Sequence, residues 1–117
     1  MFSLFFVFPL AFPIFIAMTR KDIHPIQDQL VERSQKEKIL GQRGSVFWLC
    51  GLSGSGKSTL AIDLENRLSE DDIFSIVLDG DNLRSGLNQD LGFSDDDRRE
   101  NIRRTTELAK ILCQSGV

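Results

Sequence analysis

The run Gly51-Leu52-Ser53-Gly54-Ser55-Gly56-Lys57-Ser58 constrains this chain more than any other feature. It fills every fixed position of the pattern G-x-x-x-x-G-K-[ST] and stands between an apolar run and an amphipathic one. Gly51, Gly54 and Gly56 open backbone angles closed to other residues, so consecutive N–H groups can curl around phosphate oxygens at the positive end of the following helix. Lys57 adds a point charge for the β- and γ-phosphates, the Ser58 hydroxyl is placed to ligate Mg²⁺, and Thr59 supports the helix start. The segment Gly51 to Thr59 therefore predicts a cradle for a nucleoside triphosphate, read here as ATP with Mg²⁺.

The flanks give the setting that this chemistry needs. Ser45-Val46-Phe47-Trp48-Leu49-Cys50 is a continuous apolar run and predicts a buried parallel strand. From Gly56 to about Leu68, the residues Leu60, Ala61, Leu64 and Leu68 recur at helical spacing and predict one sheet-facing stripe. After the polar turn Ser69-Glu70-Asp71-Asp72, a second run, Ile73-Phe74-Ser75-Ile76-Val77-Leu78, predicts a second strand and completes a βαβ unit. The fold class is α/β: a three-layer fold like that of the P-loop nucleoside triphosphate hydrolases, with a parallel sheet. A last helix starts at Ser94, with Asp97 completing a capping box and Asp95 and Asp96 in its first turn. Its buried face is predicted at Ile102, Thr106, Ala109 and Leu112 or Cys113. Upstream, a short helix is expected from about Ile26 to Leu40, broken by Gln42, Arg43 and Gly44.

At 117 residues, 41% hydrophobic and 26% charged, the chain has room for one small domain. A net charge of -3 gives no broad basic field, so no nucleic-acid partner is expected and any anion must be held locally. Cys50 and Cys113 lack the spacing of a metal knuckle or redox motif and read as core thiols. Residues 1–17 stand apart, holding no charge and six of the nine phenylalanines. Three readings fit this leader: translated upstream sequence with Met18 as the true start, a membrane anchor over residues 1–18, or a buried apolar arm. The first is preferred, because Pro9 and Pro13 interrupt a spanning helix, no basic segment precedes the run, and Met18-Thr19-Arg20-Lys21-Asp22 opens like an ordinary cytosolic chain. The resulting division is 1–17 leader, 18–44 polar segment and 45–117 partial P-loop domain.

Phosphate binding alone does not choose between switch GTPases, motor ATPases and small-molecule kinases. The Asn-Lys-x-Asp element by which a GTPase reads its base does not occur in the chain. Asp79-Gly80-Asp81-Asn82-Leu83-Arg84 follows the second apolar run, at the sheet edge where open α/β folds bind ligands. Two carboxylates there can hold Mg²⁺ or accept a proton from an attacking hydroxyl. Leu91-Gly92-Phe93-Ser94 puts an aromatic just ahead of the capped helix, and Arg98, Asn101 and Ile102 share one helical face at i, i+3 and i+4.

These three motifs together resemble the adenylylsulfate kinases, over about Asp22 to Gly116. The resemblance implies transfer of the γ-phosphoryl of ATP to the 3′-hydroxyl of adenosine 5′-phosphosulfate. It also implies roles: Lys57, Asp81 and Asp79 as catalytic groups, and Ser58 and Asp81 toward Mg²⁺, with Asp81 alternatively orienting the 3′-hydroxyl. Arg84 and Arg98 would grip the phosphosulfate, Phe93 would stack on the adenine, and Asn101 and Ile102 would line the same pocket. Arg99, Arg103 and Arg104 read as surface charge. A cytoplasmic enzyme follows, with a homodimer of the full-length protein left open. The family's serine loop, basic lid and second aromatic would lie beyond Val117, and a strand expected between the first two is missing. The chain therefore reads as truncated, and is expected to be unstable and inactive alone. The rivals are another small-molecule P-loop kinase and a non-catalytic ATP-binding remnant.

Overall fold

The computed structural model describes residues 4–7 and 25–117. For 4–7 only the backbone path enters this description, and the anchor reading of the leader lies outside the described residues. A 3₁₀ turn at Gln27–Gln29 precedes helix α1 (Arg33–Leu40). The helix expected from Ile26 is thus shorter, because Leu30 and Glu32 adopt extended backbone and interrupt it. Gly41 ends α1 with φ 67°, a left-handed angle that suits glycine.

Strand β2 (Phe47–Leu49) pairs with strand β1 (Leu4–Val7), with Leu4 opposite Leu49 and Phe6 opposite Phe47. Two expectations are corrected here. The pairing is antiparallel rather than parallel, and Trp48 is exposed, so β2 is not buried on both faces. Cys50, just past the strand, is exposed rather than a core thiol, and Cys113 is half-buried.

Helix α2 (Lys57–Glu70) packs Ala61, Leu64 and Leu68 with Phe47, Leu49 and Val77, forming the small core around the buried Ala61. Leu60, expected on that stripe, is 53% exposed and lies off it. The helix closes in a Schellman motif with Asp72 left-handed at φ 58°. The Ile73 N–H reaches the Leu68 carbonyl at 2.8 Å and the Asp72 N–H the Ser69 carbonyl at 3.2 Å.

The second apolar run does not become a strand. Residues 73–77 have no ladder and only Leu78 makes an isolated bridge. A cleft of about 330 Å³ explains this: residues 45–47 form one wall and 73–76 another, with Leu68, Ala109, Leu112 and Val117 also lining it. The two runs face each other across that space instead of pairing. Gln42 ties its rim: its Oε1 accepts from the Phe74 N–H at 2.8 Å, and its Nε2 donates to the Phe74 carbonyl at 2.9 Å and the Gly116 carbonyl at 3.1 Å.

The remaining elements are helix α3 (Gly80–Arg84) and helix α4 (Asp95–Gln114). Asp79 caps α3, with Oδ1 accepting from the Asp81 and Asn82 N–H groups at 3.1 and 3.0 Å. Ser94 caps α4 as expected, its hydroxyl oxygen accepting from the Asp97 N–H at 3.1 Å. The Asp97 carboxylate completes the turn by accepting from the Ser94 hydroxyl at 2.7 Å rather than from a backbone N–H. The buried positions of α4 are Thr105 and Ala109, while Ile102 and Thr106 are exposed. The face is rotated from the predicted one because the loop after α3 packs on the Asn101–Thr105 side, where α4 carries polar rather than apolar residues. Among the described residues, no helix is long and apolar enough to cross a membrane.

Candidate functional site

The loop between β2 and α2 is shaped by its glycines. Gly54 and Gly56 adopt φ 75° and 86°, which other residues reach only with strain. A side chain at Gly51 would meet the Ser55 hydroxyl, whose oxygen lies 2.7 Å from where a Cβ would stand. The loop delivers the chain to the N-terminus of α2, with the Leu60 N–H bonded to the Gly56 carbonyl at 3.0 Å, so the helix begins with its first N–H groups aimed into the loop.

A cavity of about 320 Å³ lies in front of these groups, walled by Ser53 through Thr59 together with Asp79 and Asp81. The structure therefore brings seven of the predicted phosphate-binding positions to one space with both predicted carboxylates. Gly51 and Leu52 are not among its walls. Their carbonyls instead hold Lys57, whose Nζ donates to Gly51 O at 2.9 Å and Leu52 O at 2.6 Å. The ammonium is thus stored at the edge of the cradle, partnered by neutral carbonyls that an anion can displace.

The donor set suits Mg²⁺ in the manner usual for phosphate-bound magnesium. Such an ion takes one or two protein oxygens and completes its shell from phosphate and water. Ser58 offers a hydroxyl and Asp81 an exposed carboxylate on the same cavity, whereas Asp79 spends Oδ1 on the cap of α3.

The second group of predicted residues meets at the start of α4. The Arg84 guanidinium stands over the Phe93 ring at 4.8 Å and donates to the Gly92 carbonyl at 2.5 Å; Arg98 Nε donates to the Phe93 carbonyl at 2.9 Å. Both cations are therefore fixed by neighbouring carbonyls of one loop, Gly92 for Arg84 and Phe93 for Arg98. Phe93 is 65% exposed, so it serves as no core staple and offers apolar surface beside two guanidinium groups. A Cβ at Gly92 would stand 2.9 Å from Asp97 Oδ2, so the Asp97 carboxylate would have to shift to admit one. Ile102 is 40% exposed on the same helical face, and Asn101 is half-buried, its side chain accepting a bond from Asn88.

Two anchoring features escaped the sequence reading. Arg104 grips Asp90 with paired bonds of 2.7 and 2.8 Å and Glu100 at 2.9 Å, clamping the loop onto α4. Arg103 adds two further bonds to Glu100, at 2.7 and 2.8 Å. These guanidinium groups, Arg103 first, hold the Glu100 carboxyl at about 2, and Arg104 pulls Asp90 below its ordinary value. The i, i+4 spacing of Glu100 and Arg104 is legible in sequence, but the hold of Arg104 on Asp90, fourteen residues upstream, is not. Asn88 is the other, with no signal beyond its place in a polar turn.

A model of the family described as adenylylsulphate kinase matches residues 43–117. An adenylyl-sulfate kinase of Phocaeicola vulgatus is 52% identical over 100 residues, covering 86% of this chain and 49% of the relative. One from Clostridium acetobutylicum is 53% identical over 91 residues, covering 78% of this chain and 46% of the relative. Adenylyl-sulfate kinase 3 of Arabidopsis thaliana is 50% identical over 91 residues, covering 78% of this chain and 44% of the relative. The chain spans about half the length of the curated relatives it matches. With the family model matching well over half of its length, including the phosphate cradle and the loop before α4, the chain belongs to the adenylylsulphate kinase family, and so to the P-loop nucleoside triphosphatase fold.

Proposed function

We propose that the chain carries the donor site and much of the acceptor site of an ATP-dependent kinase that phosphorylates the 3′-hydroxyl of adenosine 5′-phosphosulfate. The observation that carries this reading is the shared cavity of the cradle, Asp79 and Asp81, with the Arg84–Phe93–Arg98 group on the elements that follow directly. Gly51 to Thr59 bind the phosphates of ATP. Lys57 leaves the Gly51 and Leu52 carbonyls for the β- and γ-phosphates, where its charge is worth more. Ser58 and Asp81 hold Mg²⁺, which when bound neutralises charge on the phosphate oxygens. Asp81 and Asp79 orient the attacking hydroxyl, Asp79 being rigid because it caps α3. Arg84 and Arg98 keep free guanidinium N–H groups for the phosphosulfate while their bonds to the loop carbonyls pre-set their direction. Phe93 stacks on the adenine, and Asn101 and Ile102 line the same pocket.

The reading extends to the fold and the setting. The cleft between residues 45–47 and 73–76 takes the middle strand of a three-layer parallel sheet, supplied by the rest of the kinase domain. The enzyme is cytoplasmic, and a homodimer of the full-length protein is compatible with it.

Arginine protection tests the acceptor. Adenosine 5′-phosphosulfate should shield Arg84 and Arg98 from phenylglyoxal, read by mass spectrometry of the peptides, whereas adenosine 5′-monophosphate should not. Equal protection by both would favour another small-molecule P-loop kinase, and protection by neither would leave an ATP-binding remnant.

A further inference from the structure

Asn88, in the loop between α3 and α4, is 0% exposed. Its backbone is pinned on both sides, the N–H donating to the Leu83 carbonyl at 2.7 Å and the carbonyl accepting from the Leu91 N–H at 3.0 Å. Its side-chain Nδ2 donates to Asn101 Oδ1 at 2.7 Å, and its own Oδ1 is buried without a partner. A buried carboxamide with one arm unpaired is costly, and an apolar residue of similar size would fill this position without that cost. The bond to Asn101 is what the position retains.

We infer that Asn88 is a positioning residue: it holds Asn101 by its side-chain oxygen, so that the Asn101 NH₂ is turned outward as a hydrogen-bond donor to the acceptor substrate. This rests on the proposal that Asn101 lines the acceptor pocket. A carboxamide presents either a donor or an acceptor depending on which way it is turned, and the two ends are nearly the same size. The groups that a phosphosulfate or a purine ring nitrogen presents are acceptors, so a reversed Asn101 would set oxygen against oxygen or against a nitrogen lone pair. Nothing on α4 itself fixes the choice. Thr105, the neighbouring hydroxyl, donates to the Asn101 backbone carbonyl at 2.7 Å and leaves the side chain alone. The choice is fixed from the loop, by a residue too deeply buried to touch a ligand itself.

Hydrogen exchange of the side-chain carboxamides in the ¹⁵N-labelled full chain tests the direction of this bond without any substitution. The Asn88 NH₂ should be protected and the Asn101 NH₂ should exchange faster. Added adenosine 5′-phosphosulfate should shift the Asn101 NH₂ resonances. In N88D, an oxygen faces Asn101 Oδ1 and turns that carboxamide round. Adenosine 5′-phosphosulfate should then bind about tenfold more weakly, the scale of one hydrogen bond to a charged group, with Mg·ADP affinity unchanged. A protected Asn101 NH₂ with a fast Asn88 NH₂, fast exchange at both, or wild-type affinity in N88D would overturn the inference. Wild-type protein with the expected exchange pattern but no affinity for adenosine 5′-phosphosulfate would instead overturn the acceptor reading on which it rests.

Discussion

In the phosphate site proposed above, Lys57 is held close to its working position before a ligand arrives. Its ammonium rests on two loop carbonyls, so the positive charge is already at the mouth of the cradle and needs only a short swing to reach phosphate. K57A should leave the loop folded, since the left-handed angles of Gly54 and Gly56 do not depend on it, yet weaken Mg·ADP binding by about two orders of magnitude in calorimetry. A loss under threefold would mean that the backbone N–H groups alone carry the affinity. Glu100 gives a prediction in pH. Its folded value of about 2 lies below its ordinary 4.5, so its bonds to Arg103 and Arg104 contribute fully above about 4.5 and are lost as the pH falls through about 2. A carboxyl ¹³C titration should find Glu100 still ionised at pH 3.5, whereas a midpoint near 4.5 would show that the clamp on the loop does not persist in solution.

Helix α4 is the element whose start was most legible, because Ser94 and the acidic first turn are local signals read over a few residues. The S94A variant should lose about 1 kcal/mol of stability in chemical denaturation, the usual worth of such a cap. The phosphate loop was legible for the same reason: its glycines, lysine and serine are consecutive. What sequence periodicity could not give was the partner of each element. Ile73-Phe74-Ser75-Ile76-Val77-Leu78 has strand composition, but a strand exists only against another strand, and here the cleft intervenes. Ile102 and Thr106 fit a helical stripe through Ala109 as well as Thr105 does. The packing of the loop after α3 decided between them, and that packing uses Asn88, Asp90 and Arg104, polar residues that a hydrophobic pattern ignores. Gly44 is a further case. Its N–H donates to Glu37 at 3.0 Å and its carbonyl accepts from Arg33 at 2.6 Å, while a Cβ would overlap the Cys113 carbonyl. G44A should therefore cost about 1–3 kcal/mol by overpacking, read in the same denaturation assay, although its position reads as a simple helix stop.

For the molecule as described, the proposed nucleotide cradle coexists with a very small core. Among the described residues only Ala61, Leu78 and Ala109 are buried apolar side chains, while Phe74, Ile76 and Leu60 remain exposed. Much of the burial that should stabilise a domain of this length is not made, so the 117-residue chain alone should unfold at low denaturant and show no turnover dependent on adenosine 5′-phosphosulfate in a coupled ADP-release assay. Binding should nevertheless stabilise it, by about 2.7 kcal/mol when Mg·ADP is present at a hundred times its dissociation constant. The two half-sites that converge on one chain make a stronger claim than either alone, and one measurement addresses them together: calorimetric titration of adenosine 5′-phosphosulfate into the chain saturated with Mg·ADP. Binding that exceeds that of adenosine 5′-monophosphate, and that weakens about tenfold or more in both R84A and R98A, is the predicted result. Equal affinity for the two nucleotides, or indifference to both substitutions, would contradict the proposed acceptor site.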